Sequence, residues 1–331
     1  MITVLESPIE GYFVITSDNL VFEVKGVVHP ENRIIAYLRY VPSESLSTGF
    51  KKVYDLDERE KYLREKYPEY LWNSEPHGRI VQSVSEEKIE SILDPVDCLA
   101  QLRDADEVTH LERESVVLAR KLVEVTEIDW SNIGITGSQL VGVAGKESDI
   151  DLVVYGLSAC RKFYSGLCTK FDNIPEIRRY SGQLLENHVL FRWEAHADLY
   201  PLLMEIERDK MLQGLIGDYQ FFIRLVKTPS DLDYVYGDLS YQMRGYQKIS
   251  GKVLGSNDSI FTPCEYQVEC ASISNLEKLI SYRGRFTEQV STGVQFEAFG
   301  RLELVTDLRE DNQYMQLVLG ERSTDYLIPT K

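Results

Sequence analysis

Over the first fifty residues apolar and polar positions alternate at close to the two-residue period of a β-strand. The stretch "YFVITSDNLVFEVKGVVHPENRIIAYLRYV" is dense in Val, Ile, Phe and Tyr, while "SDN" and "HPEN" supply turn chemistry. The pattern predicts a small antiparallel sheet. Residues 55–67, "DLDEREKYLREKY", read as a polar helix that Pro68 should end. His29 and His77 each precede a turn-prone residue, Pro30 and Gly78. No carboxylate or cysteine pattern accompanies them, so they read as turn histidines rather than ligands. "ILDPVD", near residue 95, reads as a connection.

From about Asp104 to Val125 the period lengthens. Val108, Leu111, Leu118, Leu122 and Val125 recur as the buried face of one amphipathic helix requires. "SNIGITGS" then reads as a short strand ending in a Gly-Ser turn, "QLVGV" as the start of a short helix, and "DIDLVVYG" as a strand that Gly156 stops. Residues 158–170 and 183–213 read as helical, the latter with a break at Pro201, and "YQFFIRLV" (219–226) as a strand ended by "KTPSD". Such alternation predicts an α/β unit around a mixed sheet. From about Gly245 short strands return between Gly and Asn/Asp turns, which predicts a β-domain shaped as a small barrel. The expected class is α+β, with an N-terminal β-rich region carrying a helix (1–100), a central α/β domain (101–244) and a C-terminal β-domain (245–331).

Composition narrows the function classes. With 331 residues, 43% hydrophobic and 27% charged, the chain reads as globular and long enough for two or three domains. No apolar run approaches the roughly 18 residues that cross a bilayer. "MITVLESPIEGYF" lacks the basic-then-apolar order of a secretory signal. Five scattered cysteines (Cys98, Cys160, Cys168, Cys264, Cys270) show no zinc spacing and read as free thiols, so a cytoplasmic location is expected. A net charge of −17 argues against a broadly basic nucleic-acid wrapper. Residues 161–180, "RKFYSGLCTKFDNIPEIRRY", are a local exception: Arg161, Lys162, Lys170, Arg178 and Arg179 against Asp172 and Glu176. They read either as a solvated face or as a contact for RNA or another polyanion.

The candidate chemistry lies in "TGSQLVGVAGKESDIDLVVYG", residues 136–156. Asp149 and Asp151, two apart on a predicted strand, leave the same face. Two carboxylates that close repel each other, so they need a shared cation or one must stay protonated. Oxygen-only ligands favour a hard ion, Mg²⁺ or Mn²⁺, which takes one or two carboxylates and fills its shell with water and substrate phosphate. Upstream, Gly137 lets the backbone approach a phosphate, and Ser138 is placed to cap the short helix.

This stretch resembles the core motif of the DNA polymerase beta nucleotidyltransferase superfamily: a hydrophobic residue, Gly-Gly or Gly-Ser, then a strand bearing Asp-x-Asp. The layout of the whole chain is similar to a group of archaeal predicted nucleotidyltransferases. The resemblance implies a nucleotidyltransferase-like central domain in which Asp149 and Asp151 bind metal, while Gly137 and Ser138 hold the β- and γ-phosphates of an NTP. The implied reaction transfers a nucleoside monophosphate to a hydroxyl of an unidentified acceptor, with release of pyrophosphate.

Two departures from that pattern matter. Many members carry a basic residue just before the glycine that follows the Gly-Ser pair; here the stretch is Leu140-Val141-Gly142, which shifts the expected phosphate contact to Lys146. Active members also place a third acid on a neighbouring strand, yet "YQFFIRLV" carries Arg224 and no acid. Asp218, just before that strand, and Asp198, Glu205 and Glu207, on what reads as a solvated helix face, are the remaining candidates. The alternative expectation is therefore a catalytically degenerate protein that binds nucleotide or RNA. A third reading places function in the β-domain, where Tyr266, Tyr282, Phe286, Phe296 and Phe299 either stack bases or fill the barrel.

Overall fold

A computed structural model describes residues 8–46 and 48–330. Residues 1–7, part of the stretch read above for a secretory signal, lie outside the described residues. The chain divides into two compact units: residues up to Phe163 together with Tyr219–Gly237, and Tyr164–Asp218 together with Asp238 onward. Each unit is α and β mixed.

In the first unit the early alternation builds β1 (Phe13–Thr16), β2 (Val21–Val24), β3 (Arg33–Pro42), β4 (Phe50–Lys52), β5 (Leu71–Ser74), β6 (Arg79–Ser85) and β7 (Ile89–Leu93). They form one seven-stranded antiparallel sheet in the order β5-β6-β3-β2-β1-β7, with β4 on β3. Helix α1 (Leu56–Lys66) starts at Asp55, whose carboxylate accepts from the Asp57 and Glu58 amides. One sheet face packs Val14, Phe22, Val24 and Leu38 with Leu63 of α1 and with Tyr70. The opposite face packs Phe13, Val21 and Tyr40 with Leu140. Glu23 shares the parity of Val21 in β2 and so belongs to this second face.

The helix expected from about Asp104 to Val125 begins later, and a further helix precedes it. Helix α2 (Pro95–Asp104) covers the stretch read as a connection: Asp94 caps it and Pro95 opens it, a start signal that the reading of "ILDPVD" missed. Helix α3 (His110–Thr126) begins anew at a capping box of Thr109 and Glu112, which leaves Val108 ahead of it. The chain continues through β8 (Ile133–Ile135), α4 (Gly137–Val141), β9 (Ile150–Tyr155) and α5 (Leu157–Lys170), then β10 (Ile177–Arg178), α6 (Gly182–Arg192), α7 (Tyr200–Asp209), β11 (Gln213–Ile216) and β12 (Tyr219–Val226). Strand β9 runs antiparallel to β8 and parallel to β12, so the sheet is mixed as expected. Pro201 lies in the first turn of α7, which it opens rather than interrupts.

In the second unit six strands follow: β13 (Leu239–Gly255), β14 (Cys264–Glu269), β15 (Leu276–Ser281), β16 (Gln295–Asp307), β17 (Asn312–Leu319) and β18 (Tyr326–Thr330). The order β13-β14-β15-β17-β16 closes on itself through the β13–β16 pairing, and β18 adds to β16. Only β15–β17 is parallel. This is a five-stranded barrel, an architecture that some oligonucleotide- and oligosaccharide-binding domains use. Fold alone assigns no function. Tyr266, Phe286 and Phe296 are fully buried in the barrel core, so the base-stacking reading fails for them. Tyr282 is exposed, and Phe299 packs against Tyr246 and Tyr326. The outward residues of β14 and β15 are Glu265, Gln267, Glu269, Glu277 and Lys278, an acid-rich face that repels polyanions. Glu207, read as solvated, is buried beside Lys210 at 2.8 Å and accepts from the Trp193 indole at 2.9 Å.

Among the described residues no helix is long and apolar enough to cross a membrane. The cysteines are unpaired, with Cys160 and Cys264 buried and Cys168 exposed.

Helix α2 rests directly on the strand that leads into the candidate site. A Cβ at Gly134 in β8 would lie 2.5 Å from the Pro95 carbonyl carbon and 2.6 Å from its Cβ. Gly134→Ala is therefore expected to cost about 1–3 kcal/mol through overpacking, read as a lower urea midpoint with unchanged slope. An unchanged midpoint would show that α2 does not lean on β8.

Candidate functional site

The local sequence puts two carboxylates at the start of a strand and a glycine against one of them. Asp149 is the exposed residue just before β9, and Asp151 is the second residue of the strand, half-buried. Chain-reversing geometry at the end of β8 brings α4 alongside: the Thr136 amide donates to the Asp151 carbonyl oxygen at 2.9 Å. Gly137 then takes φ +68°, and a Cβ there would overlap Asp151 Oδ2. Only glycine combines that backbone with that clearance. Ser138 does not cap α4. The N-cap position belongs to Thr136, whose hydroxyl donates instead to the Gly11 carbonyl oxygen, and Ser138 falls inside the helix. Lys146 is exposed on the turn between α4 and β9, where the Gly145 amide donates to Ser148 Oγ at 2.9 Å.

Neither the Asp149 nor the Asp151 carboxylate receives a hydrogen bond or an ion pair from the described residues. Burial, and then the neighbouring Asp149 charge, push the Asp151 carboxyl up to about 6; Glu23 adds to the effect, while Arg224 and Lys52 oppose it. The cations nearby are engaged elsewhere. Arg224 reaches Glu10 at 3.0 Å and Glu23 at 2.8 Å, and Lys25 lies 2.8 Å from both. Glu10 also accepts from the Gly26 amide at 3.0 Å. Burial works against the Glu23 charge, yet Lys25, Arg224 and Arg39 hold its carboxyl well below the usual range. Lys52 and Arg39 lie 4.8 and 5.7 Å from the centre of the exposed Tyr54 ring.

The N-terminal sheet was absent from the expected site, yet it supplies Glu10, Glu23, Lys25, Arg39 and Lys52. The available signal was a lone acid in the apolar "LVFEV" and a lone base in the apolar "FFIRLV", since a charge in a buried strand needs a partner. The third-acid candidates are elsewhere. Asp198, Glu205 and Asp218 are exposed, and Glu207 is taken up by Lys210, Trp193 and Gln213. On β12, Phe222 stands beside Asp151 in register and Arg224 beside Val153, so the positions flanking the aspartates carry no acid. The basic stretch is partly spent on the protein itself: Lys162 donates to the Glu127 carbonyl oxygen, Arg178 to that of Gly217 at 2.9 Å, and Arg179 to Asp172 at 2.9 Å.

Two hard oxygen donors, with the Asp151 carboxylate packed against Gly137, suit a divalent ion that completes its shell from phosphate and water. Among the described residues no group of three or more His, Cys, Asp or Glu converges to form a fuller protein cage. The donors for an ion are thus Asp149 and Asp151.

Comparison with known proteins adds one relative. The archaeal "Uncharacterized protein MJ1086" of Methanocaldococcus jannaschii is 26% identical over 324 residues, covering 93% of this chain and 94% of that one. No family model and no solved structure matches the chain.

The electrostatics of Asp151 have a measurable sign. Its folded-state pKa lies above the unfolded value, so the ionised group costs stability; the cost is absent below about pH 4 and complete above about pH 6. Asp151→Asn in metal-free protein should therefore raise the melting temperature at pH 7.5, by an amount on the order of 2 kcal/mol in stability, and leave it unchanged near pH 4. Thermal melts in EDTA at the two pH values check this. A lower melting temperature at pH 7.5 would mean that the carboxylate is a structural acceptor.

Proposed function

We propose that this chain binds a metal–nucleoside triphosphate complex at Asp149 and Asp151 and transfers the nucleoside monophosphate to a hydroxyl acceptor, releasing pyrophosphate. The observation that carries the reading is the pair of adjacent carboxylates left without protein partners while basic side chains stand close by. A half-buried, unpaired carboxylate is costly to maintain unless a ligand compensates it. The strand–turn–short helix–strand arrangement of β8, α4 and β9, with Gly137 against Asp151, supports the resemblance to the nucleotidyltransferase motif.

In this reading each residue has a task. Asp149 and Asp151 hold the ion, Mg²⁺ or Mn²⁺, which when bound supplies neutralising charge at the phosphates. Gly137 lets the Asp151 carboxylate pack against the start of α4. Ser138 and Lys146 remain candidate phosphate contacts, and Lys52 and Arg39 give the surroundings of the aspartates the positive potential that a triphosphate tail requires. Positioning and charge carry the rate, as in phosphoryl transfer generally. The free thiols support a cytoplasmic setting. The acceptor class is open between RNA, another polyanion and a small hydroxyl compound.

One observation favours a second reading, a protein that binds nucleotide without turning it over. Arg224 stands on β12, the strand from which the resemblance expects an acid to activate the acceptor hydroxyl.

Calorimetry with Mn²⁺ and each NTP in turn tests the site. Binding is expected for the wild type and should weaken at least about tenfold in Asp149→Ala and Gly137→Ala. Pyrophosphate release then separates transfer from binding alone. Absence of binding for every NTP at millimolar concentration would refute both readings.

A further inference from the structure

Resting on the metal–nucleotide reading above, we propose that the site takes a single divalent ion and that the Arg224 guanidinium is the fixed cation standing where a two-ion site would seat its second metal. Position supports this. Arg224 projects from β12, the parallel neighbour of β9, on the side shared with Asp151 and Val153. Two divalent ions about 3.5–4 Å apart carry four positive charges, which carboxylates and substrate phosphate must offset between them. Here β12 offers a positive charge instead.

Occupancy of the oxygens points the same way. Besides Asp149 and Asp151, the carboxylates that act on this region are Glu23 and Glu10, and both are committed. Glu23 Oε1 lies 2.8 Å from Arg224 and 2.8 Å from Lys25. Glu10 Oε1 lies 3.0 Å from Arg224 and 2.8 Å from Lys25, and its Oε2 accepts from the Gly26 amide at 3.0 Å. Glu10 is fully buried and Glu23 nearly so, which makes release of either from its cations expensive. The two free carboxylates are thus Asp149 and Asp151, enough for one Mg²⁺ or Mn²⁺ that also binds phosphate. Arg224 is here a positioning residue: it holds a charge and a wall in place and touches no reacting atom.

The count of bound manganese decides the matter. The wild-type chain is titrated with Mn²⁺ in the presence of a non-hydrolysable NTP analogue, and bound ions are counted by calorimetry and by electron paramagnetic resonance. The expected result is one ion per chain with a mononuclear spectrum. Two ions with a spin-coupled spectrum would overturn this inference and leave the nucleotide reading standing. No bound ion would overturn the nucleotide reading itself, and this inference with it. In Arg224→Gln the fixed charge on β12 is lost and Glu23 keeps Lys25 at 2.8 Å and Arg39 at 3.9 Å, and the count should rise to two; in Arg224→Lys it should stay at one. A count of one in a folded Arg224→Gln would overturn the role given to Arg224. Should that variant not fold, Arg224→Lys decides: a count of two there would overturn the role given to Arg224.

Discussion

The ion-pair network of Arg224, Lys25, Glu10 and Glu23 is the constraint on which the first unit depends. Its members come from the two ends of the unit: Glu10, Glu23 and Lys25 from the N-terminal sheet region, Arg224 from β12. Desolvating four charges costs several kcal/mol per ion, and their mutual attraction repays this only with tight geometry. Such a network contributes less to net stability than to placing its partners uniquely. Tyr155 Oη, donating to the Glu10 carbonyl oxygen at 3.0 Å, and the Thr136 hydroxyl, donating to that of Gly11, extend the same join. Around it Ile9, Val27, Val153, Tyr155 and Val226 pack as one apolar cluster. The N-terminal sheet is consequently a wall of the candidate site and not an appendage to it.

How much of this could be read in advance follows from the range of each interaction. Short-range signals were legible. The alternation before residue 42, the polar helix closed by Pro68 and the β9 and β12 strands all depend on neighbours within a few positions. The nearness of Asp149 to Asp151 was legible for the same reason, although Asp149 stands just ahead of β9 and not in it. What remained hidden depends on pairs far apart in the chain. Glu23 and Arg224 are 201 positions apart, and no local period connects them. Helix α2 differs: its start signal, Asp94 followed by Pro95, is local, but the same residues are also common in connections. The capping box at Thr109 starts α3 later than the apolar stripe suggests and leaves Val108 outside it.

In the second unit the barrel was expected, and its use of aromatic residues was the open question. Burial resolves it for three of the five. Tyr266 donates its hydroxyl to the Phe286 carbonyl oxygen at 2.6 Å and accepts from the Gln289 amide at 2.9 Å, so the ring is fixed in the interior. Its polar end has its partners within the fold, the usual condition of a buried tyrosine. With acids dominating the outward faces of β14 and β15, the electrostatic preference of this barrel face is for cations, opposite to that of a nucleic-acid platform.

The bare aspartate pair then contrasts with several acids buried deeper in the fold. Glu10, Glu23 and Glu207 each have cationic partners at about hydrogen-bond distance, and Glu288 accepts from the Met211 and Leu212 amides at 2.9 and 3.2 Å. Glu288, too, is raised by burial, but its backbone partners pull the other way. Asp151 has a raised carboxyl and no such partners, although Arg224 is close enough to influence it. The Arg224 cation that acts on Asp151 is held by two other acids, and glycine at position 137 lets the Asp151 carboxylate sit where a Cβ would otherwise stand. A fold that required only stability would let Arg224 close on Asp151. Holding that arginine back preserves an unfilled demand for positive charge, which is the property a metal-borne anion can meet.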